Sequence, residues 1–159
     1  MGPFPHHSVV SEISEANPAG TNGMEFVEFA HPNPQELRDL FARMGYAKTA
    51  HHKTKQIELW QQGDITFVLN SEQGSMGMRF VDEHGPCAPS MAWRFVDAQY
   101  AYERALAKGA EAYDAADKVL NVPAIKGIGG SLIYFVDKFG AKGSAYDAEY
   151  DWLEPGADK

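Results

Sequence analysis

The sequence has one cysteine, Cys87, in 159 residues, which excludes an internal disulfide and any cysteine-rich zinc site. It has no apolar run near the roughly 20 residues that a bilayer-spanning helix needs. Its first residues carry prolines and His6-His7 where a secretory leader would need an apolar stretch. A cytoplasmic location is the default expectation. Basic residues are scarce too: 14 Lys and Arg stand against 22 Asp and Glu, a formal net charge of −8. Phosphate binding needs clustered cations. The densest basic stretch, His51-His52-Lys53-Thr54-Lys55, alternates like the solvated edge of a strand. Nucleic acid and anionic membrane are thereby excluded as partners, which leaves small molecules and proteins.

What is present is enough for a core, since 44% of residues are hydrophobic and 12% aromatic. The length suits one domain or two small modules that share a core. A strand, a helix and a closing glycine occur twice. The first copy runs from Met24 through Asn33–Gly45, and the second from Met91 through Asp97–Gly109. Each helical run is 13 residues long, and apolar strands follow each one. A duplicated strand–helix–three-strand unit predicts a paired fold around a shared concavity.

Residues 1–20 are rich in Pro, Ser, Glu and Asn and are expected to form a mobile N-terminal arm. Met24–Ala30 reads as a strand after a Gly-Thr-Asn-Gly turn. Asn33-Pro34-Gln35-Glu36 predicts a helix start with a capping box. Leu37, Leu40, Phe41 and Met44 form its inward stripe, and Gly45 its stop. Strands are expected at Tyr46–His52, Gln56–Gln61 and Ile65–Asn70, the last two joined by a Gln62-Gly63-Asp64 hairpin. Ser71–Gly85 reads as a loop with one or two helical turns around Met78–His84. The second copy predicts a strand at Ser90–Val96 and a helix capped by Asp97 and stopped by Gly109. Short strands are expected at Ala110–Tyr113 and Leu120–Val122, and a strong one at Leu132–Val136. Tyr146, Tyr150 and Trp152 form a last aromatic cluster.

The paired modules resemble the vicinal oxygen chelate architecture. Particular runs are similar to one branch of it, the bacterial 4-hydroxyphenylpyruvate dioxygenases. They are Asn17-Pro18-Ala19-Gly20 with Gly23–Ala30, Trp60–Asn70, Glu83-His84-Gly85-Pro86 and Asn121–Gly130. The similarity covers residues 17–154 in order and resembles only the family's first half. In that family the iron site, substrate pocket and closing helix belong to the second half. The resemblance implies a parent reaction that uses Fe(II) and O₂ to convert 4-hydroxyphenylpyruvate to homogentisate and CO₂ in tyrosine catabolism. Its iron is held by two His and one Glu, a facial triad. None of these ligands has a matching segment here.

By the fold's internal duplication, the ligand positions have counterparts on the first strand of each module and the last strand of the second. These are placed at Glu25, Met91 and Tyr134. Glu25 could ligate, but a thioether is too soft for ferrous iron and a neutral phenol is a poor ligand; one plausible ligand of three makes no site, so no metal centre is expected. His51 and His52 are strand neighbours that point to opposite faces. His6 and His7 lie in the arm, and His31 and His84 at element ends. Glu25 and Glu28, an odd number of residues apart, are expected on opposite faces. The favoured reading of the one at the concavity is a carboxylate paired with Arg94 or at a solvated strand end. Gly127-Ile128-Gly129-Gly130 precedes a strand, so it reads as a tight connection and not as a phosphate loop. Met91, Trp93 and Phe95, with Leu132, Tyr134 and Val136, read as core or interface ahead of a ligand pocket. Cys87 has no electropositive neighbours and reads as an inert thiol.

The expected fold is α+β, with two paired βαβββ modules of the vicinal oxygen chelate (glyoxalase/dioxygenase) type. A single domain is expected over 21–154, with module one at 23–71 and module two at 87–138. Residues 155–159 read as a tail or the start of a linker to an absent catalytic half. The expected role is a non-catalytic structural and assembly domain with no catalytic, cofactor-binding or metal residues of its own. Fe(II) is expected only in the full-length enzyme. The expected partner is the catalytic C-terminal half or a second copy, giving a homo-oligomer such as a dimer. The alternatives are a stand-alone small-molecule binder of the glyoxalase/bleomycin-resistance type, and a subunit that needs a separate catalytic partner.

Overall fold

The structure, a computed structural model, describes residues 11–154. Module one comprises β1 (Thr21–Ala30), α1 (Pro34–Arg43), β2 (Ala47–His52), β3 (Ile57–Gln62) and β4 (Ile65–Asn70). A helix, α2 (Met76–His84), leads to module two: β5 (Cys87–Phe95), α3 (Ala98–Ala107), β6 (Ala124–Lys126) and β7 (Leu132–Val136). A last strand, β8, covers Tyr150–Trp152. The eight strands form one open sheet in the order β6-β7-β5-β1-β4-β3-β2-β8. Within each module the first strand lies parallel to the last, β1 to β4 and β5 to β7. The modules join where β1 and β5 pair antiparallel. This is the α+β arrangement that the repeat predicts.

Local chemistry explains the element ends. Pro34 opens α1, where its missing N–H costs nothing. Asp97 caps α3 by accepting from the Tyr100 N–H at 2.9 Å. Gly45 and Gly109 follow the helices at φ 90° and 96°, the left-handed conformation that ends a helix with least strain. The expected capping box at Asn33 differs in detail. Asn33 makes no side-chain cap; its Nδ2 donates to Glu36 Oε1 at 3.1 Å, so the two side chains bond each other.

Four expectations need correction. Residues 71–85 hold a full helix, α2, capped by the Ser75 hydroxyl on the Met78 N–H at 3.3 Å. Ala110–Tyr113 keeps only an isolated bridge between Ala112 and Ile125. Leu120–Val122 is not a strand; Val119 and Leu120 instead turn into the core, and the pairing falls to Ala124–Lys126. The Tyr150 cluster adds an edge strand beside β2. Of the expected arm, residues 1–10 lie outside the described residues, as do His6, His7 and residues 155–159. Residues nearer β1 are tied down: the Asn17 side chain bonds Thr21 at 2.9–3.0 Å, and Pro18 O accepts from the Tyr100 hydroxyl at 3.3 Å.

Side chains leave the sheet alternately to two faces. On one face, α1 covers Leu69, Trp60, Phe29 and Phe67, and α3 covers Phe95 and Phe135. The other face is the concave one. It is packed by Phe26, Leu59, Val68, Ala92, Leu132, Tyr134 and Val136 from the strands, by Met76 of α2, by Val119 and Leu120, and by Tyr146 and Tyr150 of the tail. The protein's own chain therefore fills much of the concavity.

Candidate functional site

The centre of the concave face is polar beneath α2. Glu28 of β1 is 1% exposed, and its Oε1 accepts from Asn70 Nδ2 at 2.8 Å while its Oε2 accepts from the Ser90 hydroxyl. Asn70 Nδ2 also reaches Ser75 Oγ at 3.2 Å, which ties β4, β1 and β5 to the N-cap of α2. α2 can approach this closely because Gly77 has no side chain. A Cβ there would stand 2.6 Å from Glu28 Oε1 and 2.9 Å from Asn70 Nδ2. Burial raises the Glu28 carboxyl above its ordinary range, against the lowering effect of its two hydrogen bonds.

Two tyrosines hold the segment that plugs the concavity. The Tyr150 hydroxyl donates to Val119 O at 2.6 Å, and the Tyr134 hydroxyl accepts from Val119 N at 3.1 Å. Both backbone groups of one buried residue are thus satisfied by side chains. Burial, then the nearby Glu28, pushes the Tyr134 phenol far up, so it stays neutral.

At one end of the same face lies a cluster built on Arg94 of β5. Its Nε donates to Glu25 Oε2 at 2.6 Å, and its two Nη atoms face Asp64 at 3.2 and 3.4 Å. The pairing of Glu25 with Arg94 is one of the two readings favoured from the sequence, the other being a solvated strand end. Glu25 and Glu28 nevertheless share the concave face, and their expected separation is corrected. Met24 pairs with Trp93 and Phe26 with Ala92, so β1 spends two residues where β5 spends one. The bulge inserts an extra residue and turns Glu25 inward.

The same parity argument moves the central position on β5. Met91 points to the helix face, where its sulfur accepts from Trp93 Nε1 at 3.3 Å, and Ser90 faces the concavity opposite Glu28. Inward-facing polar groups on the strands expected to carry ligands therefore include Glu25, Glu28, Ser90, Arg94 and Tyr134. They do not fit a ferrous ion. Glu25 is paired with Arg94, both Glu28 oxygens are already engaged, and the phenol is neutral. Among the described residues no three His, Cys, Asp or Glu side chains converge.

The remaining candidates lie apart. His51 is exposed near Asp151 at 3.9 Å, and His52 is buried, its Nδ1 accepting from the Thr54 and Lys55 N–H groups at 3.1 Å. Burial, then Lys55, lowers the His52 pKa. His31 Nδ1 accepts from the Asn33 N–H at 2.9 Å, and His84 packs on the Phe80 ring. Ile128–Gly130 is a 3-10 turn, preceded by Gly127 and leading into β7, with Gly129 and Gly130 at positive φ. Burial, then Glu28, raises the Cys87 pKa, which disfavours its thiolate. Sequence reasoning missed Asn70, Ser90, Asp64 and Tyr146. Alternation along Ile65–Asn70 places Asn70 with the inward Val68, a signal available once the faces are known.

One sheet built from two such modules around a concave face defines the vicinal oxygen chelate class. Within it, the chain belongs to the family described as hydroxyphenylpyruvate dioxygenase, N-terminal, which it matches over residues 15–151. It is 44% identical over 140 residues to 4-hydroxyphenylpyruvate dioxygenase of Pseudomonas sp. (strain P.J. 874), covering 87% of this chain and 39% of that protein. It is 40% identical over 152 residues to 4-hydroxyphenylpyruvate dioxygenase of Pseudomonas aeruginosa, covering 92% of this chain and 42% of that one. Among solved structures it resembles a xylose isomerase-like TIM barrel/4-hydroxyphenylpyruvate dioxygenase fusion protein. The TM-score is 0.75 at 34% identity, over 84% of this chain and 21% of that one. The chain thus spans about two fifths of the curated relatives it matches. Among the described residues no helix is long and apolar enough to cross a membrane.

Proposed function

We propose that this chain is a non-catalytic assembly domain, equivalent to the N-terminal part of a 4-hydroxyphenylpyruvate dioxygenase-like enzyme. The observation that carries the reading is the filled concave face. Where an open metal site would need free donors, Glu28 is bonded to Ser90 and Asn70, and Val119 is clipped between Tyr134 and Tyr150. Ferrous iron needs open coordination positions and ionised or imidazole donors. In this reading iron and substrate belong to a catalytic portion like the remainder of the longer relatives. This domain would contribute a stable surface for that portion or for a second copy of itself.

The test is homogentisate formation from 4-hydroxyphenylpyruvate with ferrous iron and O₂. The purified chain is assayed alone and after mixing with the C-terminal portion of the Pseudomonas sp. relative. No turnover alone, with a complex formed on mixing, is the expected result. Appreciable turnover by the chain alone, or stoichiometric iron retained by it, overturns the proposal.

A further inference from the structure

A cavity of about 200 Å³ opens beside the Arg94 cluster, between the β3–β4 hairpin, the turn at Phe139–Gly143 and the tail. That is space for about six waters at liquid density. The Arg94 side chain is only 18% exposed, and its guanidinium carbon lies 5.0 Å from the centre of the Phe139 ring. Its two carboxylate partners differ sharply. Glu25 is buried and close, at 2.6 Å, whereas the Asp64 side chain is 69% exposed and reaches the outer edge of Arg94 at 3.2 and 3.4 Å. Two parallel N–H donors facing two oxygens is the fork that recognises a carboxylate. Asp64 sits in it loosely, on a hairpin turn, and an exposed pair of this kind contributes little.

Tyr146 lines the cavity, and the residue is 3% exposed. Its hydroxyl is buried beside the Glu25 carboxylate. The indole of Trp152, half exposed, forms a further apolar wall.

We propose that this cavity binds a small organic carboxylate on the edge of Arg94 that Asp64 occupies. The apolar body of the ligand lies against Phe139 and Trp152. Asp64 acts as an internal stand-in that swings to solvent when the ligand enters. The exchange leaves Arg94 facing the same number of carboxylates, so no uncompensated charge is buried. This goes beyond the assembly role and is read out by binding, so it stands or falls separately from turnover.

The test is an NMR titration of the full ¹⁵N-labelled chain at fixed ionic strength with benzoate, and with benzamide as the uncharged match. Expected are saturable shifts at the Arg94 Nε–H, the Trp152 indole N–H and the Gly63 amide with benzoate, and none with benzamide. Removing the stand-in with Asp64→Ala, on an exposed turn, tightens benzoate binding about twofold to fivefold. The absence of saturable shifts with benzoate, equal shifts with benzamide, or an affinity unchanged or weakened in Asp64→Ala overturns the proposal.

Discussion

The Glu28 carboxylate and the Ser90 hydroxyl meet across the seam between β1 and β5, directly opposite each other in register and both buried. Burial dominates this carboxyl and raises its pKa from 4.5. A carboxyl raised in the folded state contributes stability that is fully present below the unfolded value. That stability is lost as pH rises through the folded value. Glu28→Gln keeps the shape and both hydrogen-bonding partners while removing the titration. The variant is expected to match the wild type at pH 4 and to exceed it at pH 8. Urea midpoints at both values check this, and equal midpoints at pH 8 contradict it.

Gly77 lies where α2 crosses that pair. A methyl group there would meet two side chains that are buried and hydrogen-bonded, so neither can move aside freely. Gly77→Ala is expected to cost about 1–3 kcal/mol by overpacking. Calorimetry reads the loss; an unchanged melting temperature would mean that α2 is not seated on Glu28.

Tyr150→Phe removes the donor to Val119 O, and Tyr134→Phe removes the acceptor for Val119 N. Each leaves a buried backbone group unpaired, at about 1–3 kcal/mol. Because both act on one residue, the double variant is expected to lose less than the sum. A thermodynamic cycle from denaturant unfolding measures the coupling. Strict additivity would show that the two tyrosines act independently.

The two partners of Arg94 predict unequal losses. Arg94→Met leaves Glu25 buried without a counter-charge and is expected to cost about 3–5 kcal/mol. Adding Glu25→Gln should recover part of that loss. Asp64→Ala, at the exposed end, is expected to cost less than about 1 kcal/mol. Equal costs from the two ends would refute the asymmetry.

Much of the fold is legible in the chain because its signals are local. The helix starts at Pro34 and Asp97, the glycine stops at Gly45 and Gly109, and the strands Ile65–Asn70 and Leu132–Val136 each follow from a few neighbouring residues. The runs around Gly23–Ala30 and Trp60–Asn70 also point to the family, and the match over residues 15–151 bears this out.

The occupants of the concave face depend on facts that no short window holds. Strand side chains alternate with a period of two, so one bulged residue at Glu25 or a one-residue slip between Met91 and Ser90 exchanges the faces. Register is set by hydrogen bonds to a distant partner strand, as between Glu28 and Ser90, 62 residues apart. The filling of the cavity is equally non-local, since Tyr150 reaches Val119 across 31 residues. Sequence by itself determined the duplicated modules and the lineage, whereas tertiary pairing decided which groups face inward and that the plugging segment closes over them.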